Sequence, residues 1–546
     1  MNYVSRAAKQ IYFVVYRWVR PHVEAFMAMQ QPKVWALAIV AGVAGAAVAI
    51  AFRTSIGLFQ SLWAGTTSER FLLNLSTLPW WVVVAAPLTG GLLVGAILHF
   101  WHPSGRAGGV ADVIEARASA SSKLNLKDAS IGTTISAITL GFGGSTGREG
   151  PVVYFAAALS KTIFRYFALP LSARRTMLGC GVAAAIAASF NAPIAGVLFA
   201  HEVILGHFAM SAFVPLVISA IIAAIISRIW FGEAPAFIVP DYQIASYFEV
   251  PAFALLGVTC AVVAILFQSS IIGTDWMARH VRMPLFLRPA LGGLLIGVIA
   301  LAFPQVLGVG YEATDAALAH SLDLQLMLAL IVAKTAATAI TLSSRMGGGI
   351  VSPSLYLGAM TGGAFGVIAA AFFPDLASSV GLYAIIGMGA VAAAVLGAPI
   401  STAVMIFELT GGFAFSIALL FAVSLSTGLT QLAMGRSFFY WQLYARGILL
   451  EEGPHKHLAQ RIRVRDLMRS IGADETVPEF DISTTSAWLR PGDTLEATLR
   501  AFDASGKTRL IVIEHGTHTP IGYIYHVDAL SNFNKALVAQ SREEHR

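Results

Sequence analysis

Residues 141–155, GFGGSTGREGPVVYF, decide the fold of this chain. A glycine-rich approach leads to an Arg-Glu pair, and Pro151 then opens an apolar run. Proline suits the first turn of a helix because its missing N–H would have no intrahelical partner there. The stretch therefore predicts a loop that enters a helix, with unpaired N–H groups of residues 145–150 at a terminus that attracts anions.

The flanks of this stretch, residues 130–143 and 151–168, are apolar enough to lie in a lipid bilayer. Irregular backbone at that depth is tolerated only where it is buried in protein or lines a cavity. Glu149 is therefore predicted to be a carboxylate inside a membrane, at a place that favours negative charge. An ionisable residue in such a position is a functional site by default.

The composition is that of a polytopic membrane protein. Of the 546 residues, 56% are hydrophobic and 12% are charged, which is too apolar for a soluble protein of this size. Several apolar runs are too short to cross a bilayer or are broken by glycine and proline, which predicts discontinuous helices. Runs long enough to cross a bilayer lie near residues 34–51, 80–101, 177–200, 209–230, 250–273, 323–344, 379–410 and 414–434.

The excess of basic residues before the first long span predicts a cytoplasmic N-terminus, because basic flanks of a span stay on the cytoplasmic side. We expect residues 1–32 to form a cytosolic amphipathic segment without the features of a cleavable signal. The net charge of +6 does not imply nucleic acid, and Cys180 and Cys260 predict neither a disulfide framework nor a metal site. Only Glu24 opposes the basic residues of this region, Arg6, Lys9, Arg17, Arg20 and Lys33.

Two parts of the chain repeat each other. Residues 181–202 read GVAAAIAASFNAPIAGVLFAHE, and residues 387–408 read GMGAVAAAVLGAPISTAVMIFE. Both place Ala-Pro-Ile and the final glutamate in the same register, so chance similarity is the weaker explanation. Two halves with matching broken segments indicate a binding site at their interface.

The two final glutamates of this repeat, Glu202 and Glu408, allow two interpretations. Each ends the apolar helix that follows Pro193 or Pro399. Such a carboxylate can be part of an ion path, or it can cap the N-terminus of another helix. The sequence leaves both open.

Taken together, these motifs resemble the CLC family of chloride channels and proton-coupled chloride exchangers. GREGP at residues 147–151 resembles the gating motif, GGGIVSP at residues 347–353 resembles the G-x-F-x-P motif, and NAPIAGVLF at residues 191–199 resembles the helix between them. The resemblance covers roughly residues 33–446. It implies an all-α polytopic membrane protein with the CLC fold, two inverted-topology repeats and broken helices, assembled as a homodimer with a pore in each subunit.

The resemblance also implies roles for the motif residues. Glu149 would be the gate, because its ionised carboxylate competes with chloride for an anion position and its protonation releases that position. Arg148 belongs to the same anion-binding motif, and we expect it to pair with neighbours and support the loop rather than touch the ion. A dehydrated chloride would lie between two helix N-termini, held by backbone N–H groups around Gly147, Gly150, Gly349, Ile350 and Val351.

The chain departs from the family pattern at two side-chain donors. The family motif G-S-G-I-P aligns with AGGVA at residues 107–111, so Gly108 stands where a serine hydroxyl would reach the ion. A family tyrosine that also reaches the ion aligns with Phe439, or with Tyr440 if the register shifts by one residue. With Phe439 there, both hydroxyls are absent, and we expect weak chloride binding with poor discrimination among anions.

A further departure concerns protons. Exchangers of the family usually carry a proton-transfer glutamate directly after the position of Glu202, and here that residue is Val203. His201 and Glu202 remain candidates for a proton path, although His201 is more simply a packed histidine. We therefore favour passive conduction of chloride, with proton-coupled exchange as the alternative.

The C-terminal region is rich in charged residues, which predicts a small α/β cytosolic domain over residues 447–546. A helix near residues 494–504, strands at residues 510–514 and 521–525, and a segment at residues 526–530 that leads into a helix follow the order of one CBS motif. Such modules normally work as pairs, so pairing across the dimer is the natural hypothesis. No residue specifies an adenine nucleotide, and binding of one is an alternative to a structural role. We expect no other cofactor.

The sequence thus predicts a multi-pass protein of the inner (plasma) membrane with both termini cytoplasmic, and its resemblance to the CLC family implies that it moves chloride and other small anions. Its membrane repeats are expected at residues 33–240 and 241–446. An embedded enzyme that uses Glu149 or the His201-Glu202 pair as acid or base is disfavoured, because the sequence places no nucleophile, metal cluster or phosphate loop nearby. A membrane sensor whose tail is the output is a further alternative.

Overall fold

The computed structural model divides into two compact units, Met1–Leu443 and Tyr444–Arg546. Parts of the predicted cytosolic domain, residues 449–461, 472–487 and 515–518, lie outside the described residues. The residues described are 2–28, 30–102, 106–118, 124–233, 237, 244–448, 462–471, 488–514 and 519–544.

The first unit is built from helices. The helices before the glycine-rich loop are α1 Asn2–Ala28, α2 Gln31–Ala64, α3 Leu72–Leu75, α4 Trp80–Phe100, α5 Val110–Ala118 and α6 Leu126–Gly141. Those after it are α7 Glu149–Phe164, α8 Leu171–Phe190, α9 Pro193–Phe199 and α10 Met210–Phe231, with a π-helical turn, Ala200–Leu205, directly after α9.

The remaining helices of this unit repeat the alternation of long and short segments. They are α11 Val250–His280, α12 Arg288–Ala302, α13 Tyr311–Leu318, α14 Leu324–Ser343, α15 Val351–Phe372, α16 Val380–Leu396, α17 Pro399–Thr410, α18 Ser416–Met434 and α19 Phe438–Tyr444. Single 3₁₀ turns lie at Arg165–Phe167, Tyr247–Glu249 and Pro304–Val306.

Seven helical segments in the described part of the chain are long and apolar enough to cross a membrane. Six of the eight predicted spans coincide with such segments, but two predicted spans are wrong: residues 177–200 and 379–410 are each divided between two helices. A spanning helix, Val351–Phe372, was not predicted, because its glycines and Pro353 obscure a continuous apolar run.

The two divided spans break at equivalent positions. α8 ends at Asn191, whose φ is 59°, and α16 ends at Gly397, whose φ is 65°. A left-handed residue of this kind ends a helix by turning the chain out of it. Pro193 and Pro399 then open α9 and α17, which pack against each other. The repeat seen in the sequence is therefore a repeat of helix, break and helix.

Close approach of helix backbones forms much of the core. α16 is buried along its whole length and packs against α15. A Cβ atom at Gly362 would lie 2.0 Å from the Tyr383 carbonyl oxygen, so only glycine fits at that crossing. Small residues allow such contacts between apolar helices that lack a hydrophobic driving force within lipid.

The second unit contains a four-stranded mixed sheet in the order β1-β4-β3-β2. Its strands are β1 Arg469–Ser470, β2 Trp488–Leu489, β3 Arg509–Ile513 and β4 Pro520–Tyr525; β2 and β3 are parallel and the other pairs antiparallel. A 3₁₀ turn, Val464–Asp466, and helices α20 Leu495–Ser505 and α21 His526–Glu544 complete it. The helix predicted near residues 494–504 and both predicted strands lie within about a residue of their expected limits, and α21 already begins at His526, in the segment that was expected to lead into a helix.

Candidate functional site

The two glycine motifs are joined by a pair of backbone hydrogen bonds. The Gly147 N–H donates to the Gly349 carbonyl at 2.8 Å, and the Gly349 N–H donates to the Gly147 carbonyl at 2.7 Å. The Thr146 hydroxyl also donates to the Gly349 carbonyl, at 2.9 Å. We call this pairing the glycine bridge. Its two N–H groups are engaged between the loops, whereas we expected them to face an anion.

The glycine bridge brings two helix N-termini together. α7 begins at Glu149 and α15 at Val351, each within two residues of the bridge. A Cβ atom on Gly150 would lie 3.2 Å from the Gly349 Cα, which is tight for any side chain. N–H groups in the first turn of a helix have no intrahelical acceptors. Those of Gly150, Ile350 and Val351 therefore belong to one small region of positive potential.

The Glu149 side chain is fully buried and spans these two N-termini. Its Oε1 atom accepts a hydrogen bond from the Ser352 hydroxyl, which lies in the first turn of α15. Its Oε2 atom has no hydrogen-bond partner among the described residues. A Cβ atom on Gly147 would lie 2.6 Å from Oε2, so this oxygen rests against the bridge. The carboxylate thus occupies the place where the two helix ends meet.

Arg148 is buried and paired with neighbours. One guanidinium nitrogen donates to both carboxylate oxygens of Glu69, at 2.6 and 2.8 Å, and the other donates to the Ser189 carbonyl at 2.6 Å. The guanidinium also lies 5.2 Å from the centre of the Tyr311 ring. These contacts join the loop before α7 to Glu69, Ser189 and Tyr311.

A buried lysine that the sequence analysis missed braces the same loop. The Lys334 ammonium is fully buried and donates to the carbonyls of Val306 and Gly308, both at 2.9 Å. The Gly308 N–H in turn donates to the Gly143 carbonyl at 3.3 Å. The chain of contacts therefore runs from α14 to the glycine-rich approach of residues 141–147.

The remaining predicted anion contacts lie on two other segments. Gly108 precedes α5, and its backbone packs against α6 near Gly132. Phe439 is buried in α19, whereas Tyr440 is only half-buried and lies within electrostatic range of Arg117. Of the two alternatives for this position, Phe439 is therefore the more buried residue.

Glu202 and Glu408 each cap the N-terminus of a helix in the other repeat: Glu202 caps α17, and Glu408 caps α9. The Glu202 carboxylate accepts from the N–H groups of Ile400 and Ser401 at 3.1 and 2.7 Å, at the start of α17. The Glu408 carboxylate accepts from residues 194 and 195 at 3.0 and 2.7 Å, at the start of α9. We call these contacts the reciprocal caps. Of the two interpretations left open by the sequence, the geometry favours capping.

The other residues considered for a proton path are packed. His201 is buried, its Nδ1 atom lies 3.0 Å from the His207 carbonyl, and its ring stacks on Phe208 at 5.3 Å. Val203 is buried and aliphatic. The segment that holds them is the π-helical turn after α9, which the sequence analysis did not predict.

Comparison with known proteins identifies the family. The family profile described as voltage gated chloride channel matches residues 90–431. The chain belongs to the CLC family. A ClcB-like chloride channel protein of Ralstonia nicotianae is 33% identical to this CLC protein over 419 residues, which is 75% of this chain and 96% of that one. The H(+)/Cl(-) exchange transporter ClcA of Citrobacter koseri is 31% identical over 331 residues, covering 59% of this chain and 70% of that one.

Solved CLC structures share the architecture. A slow cyanobacterial Cl⁻/H⁺ antiporter aligns with a TM-score of 0.68 and 21% identity, covering 76% of this chain and 98% of that one. A eukaryotic CLC transporter aligns with a TM-score of 0.67 and 18% identity, covering 92% of this chain and 98% of that one. The predicted fold, an all-α polytopic membrane protein of the CLC type, is confirmed. Family membership also makes this CLC protein a chloride transporter rather than an enzyme.

Proposed function

We propose that this CLC protein conducts chloride passively through a pore in each subunit and that Glu149 gates the pore. The observation that carries the proposal is the Glu149 carboxylate itself, which lies between the first turns of α7 and α15. A carboxylate is an anion held where two helix dipoles present their positive ends. When protonation neutralises the carboxyl group and it swings away, chloride takes the same place.

The magnitude of the repulsion supports a gate. At an effective dielectric constant of about 20, two unit charges about 4 Å apart interact by roughly 4 kcal/mol. An ionised Glu149 would therefore reduce chloride occupancy of an adjacent position by about a thousandfold. Backbone N–H groups bind the ion less tightly than a full positive charge would, which favours its release.

Passive conduction is favoured by the residues near the expected proton path. Val203 cannot carry a proton, and Glu202 directs both carboxylate oxygens to the N-terminus of α17. The Nδ1 atom of His201 is engaged with the His207 carbonyl. The likeness to a ClcB-like chloride channel protein supports the same conclusion.

Proton-coupled chloride exchange is the second candidate. It is favoured by the 31% identity to an H(+)/Cl(-) exchange transporter and by the fold shared with a Cl⁻/H⁺ antiporter. Under this alternative, Glu149 would carry protons as well as exclude chloride, and another group would connect it to the cytoplasm.

Purified protein in liposomes separates the two functions. An outward chloride gradient is imposed at equal pH on both sides, and external pH is followed with a potassium ionophore absent and then present. Passive conduction predicts chloride efflux without proton uptake into the liposomes. Chloride-driven proton pumping that a protonophore abolishes would establish exchange instead.

The remaining predictions about assembly are part of the same proposal. We propose a homodimer in the inner (plasma) membrane, with both termini cytoplasmic and with membrane repeats at residues 33–240 and 241–446. The tail, residues 447–546, would act as a CBS-like module that pairs across the dimer; its mixed sheet flanked by α20 and α21 is compatible with that. Mass measurement in detergent and accessibility of introduced cysteines test assembly and orientation.

A further inference from the structure

Gly108 has no room for a side chain, and the obstacle is Tyr154. A Cβ atom at Gly108 would lie 2.4 Å from Cε1 and 2.5 Å from Cζ of the Tyr154 ring. At Gly109 a Cβ atom would meet nothing within 4 Å. Gly108 does not have a positive φ, so its backbone would otherwise accept a side chain. The glycine is therefore matched to the tyrosine.

The Tyr154 hydroxyl lies at the edge of this contact, because it is attached to Cζ. No described residue hydrogen-bonds to this hydroxyl. Tyr154 is 7% exposed, so its phenol is almost entirely surrounded by protein. α7 carries Tyr154 five residues beyond Glu149, about 7.5 Å along the helix axis. A phenol donor thus stands on the same helix as the gate.

The surroundings place this contact next to the glycine bridge. A Cβ atom at Gly347 would lie 3.1 Å from the Ala107 Cβ, and one at Gly132 would lie 3.3 Å from the Gly108 nitrogen. Gly347 is two residues before the bridge. The loop that holds Gly108 therefore lies between α6, α7 and the second glycine motif, and the Tyr154 ring of α7 contacts it there.

The Asp112 carboxylate holds part of this loop in place. The Asp112 carboxylate accepts from the Gly109 N–H at 2.8 Å and from the Arg106 guanidinium at 2.6 Å. These bonds fix the loop against the start of α5 and use the N–H that follows Gly108. Gly108 itself brings no side-chain donor, and the side chain nearest to it is that of Tyr154.

We propose that Tyr154 supplies the hydroxyl that binds an anion beside Gly108, one and a half turns along α7 from Glu149. This inference rests on the proposed function, since it extends the same anion path. The Tyr154 hydroxyl on α7 would donate the hydrogen bond to the anion that a side chain at position 108 cannot donate, because Gly108 has none. A neutral O–H donor binds a halide weakly enough for rapid release and discriminates among anions by size and acceptor strength.

Tyr154→Phe tests the hydroxyl while keeping the ring that packs on Gly108. Chloride affinity is measured by calorimetry on purified protein, and the ranking of chloride, bromide and nitrate is measured by efflux from liposomes. Loss of one neutral hydrogen bond predicts about tenfold weaker chloride binding and a flatter anion ranking. Tyr383→Phe, the same change at another buried tyrosine, is the control and should bind as the wild type does.

A rescue variant tests the match between the two residues. Tyr154→Ala opens the space over Gly108 and should weaken chloride binding at least as much as Tyr154→Phe. Adding Gly108→Ser to Tyr154→Ala returns a hydroxyl from the other side of the same space and should restore most of the affinity. Gly108→Ser alone should lower Tm, because its side chain would overlap the ring.

The outcomes distinguish this inference from the proposed function. Wild-type affinity and anion ranking in Tyr154→Phe, or no gain from Gly108→Ser in the Tyr154→Ala background, would overturn the role of Tyr154. If the wild type itself neither bound nor moved chloride in these assays, the proposed function would fail and this inference with it.

Discussion

Removing either of the reciprocal caps should destabilise the protein by about the same amount. Glu202→Ala leaves the N–H groups of Ile400 and Ser401 without their acceptor, and Glu408→Ala does the same at α9. Both carboxylates make two bonds of nearly equal length, so the two variants are a matched pair. A proton-path role for Glu202 predicts instead that the two variants differ in transport.

The expected magnitude follows from the capping geometry. Loss of an N-cap costs about 1 kcal/mol, and loss of a negative charge from a helix N-terminus costs about 1 kcal/mol more. Both glutamates are partly exposed, and Ile194 and Ile400 beside them are exposed. These values of about 1 kcal/mol therefore apply, rather than the values of about 2 kcal/mol that the most favourable caps and charges reach. Each variant should therefore lose about 2 kcal/mol of unfolding free energy, and Tm should fall by a few degrees.

The assay combines stability with transport. Tm is measured in detergent by loss of the folded peak in size-exclusion chromatography, and chloride efflux is measured per folded protein in liposomes. Glu24→Ala is the control, because Glu24 is an exposed residue of α1 whose contact is with Arg20. Wild-type Tm in Glu202→Ala together with altered chloride or proton movement, absent in Glu408→Ala, would refute the capping argument.

Three further predictions concern the site. Gly349→Ala should abolish chloride binding measured by calorimetry, because a Cβ atom there would lie 2.9 Å from the Gly150 nitrogen. Gly428→Ala is the control and should bind chloride normally, because a Cβ atom at Gly428 would meet nothing within 4 Å. Normal binding in both variants would contradict a role of the glycine bridge in the anion site. Phe439→Tyr should tighten chloride binding several-fold, and unchanged affinity would favour the register of Tyr440. Arg148→Lys cannot reproduce the contacts with both Glu69 and Ser189 and should lower Tm by several degrees; an unchanged Tm would remove its supporting role.

The sequence predicts most strongly where one segment contains the whole signal. Pro151 in the first turn of α7 and the repeated Ala-Pro-Ile starts of α9 and α17 are local features, and the structure confirms these helices. The residues that end the helices before them, Asn191 and Gly397, were not predicted, and the runs at residues 177–200 and 379–410 were each taken as one span. Hydropathy averages over such a break, whereas a single left-handed residue is enough to end the helix.

Contacts between distant segments could not be predicted in the same way. Ser352 stands in the quoted motif, yet its bond to Glu149 joins residues 203 apart, and nothing in one sequence specifies that pairing. Glu69 meets Arg148 from a loop, 79 residues away. Tyr154 could not be singled out from the sequence, because its contact with Gly108 depends on how the loop before α5 packs against α7.

We propose that the Glu149 side chain plugs an anion position between two helix N-termini. Chloride efflux from liposomes containing Glu149→Gln, measured from acidic to neutral pH, tests it most directly, with Glu249→Gln as a control at another buried carboxylate. We predict that wild-type efflux rises as pH falls, because protonation releases the plug, and that Glu149→Gln is open throughout this range. Efflux from Glu149→Gln with the pH dependence of the wild type would contradict the account.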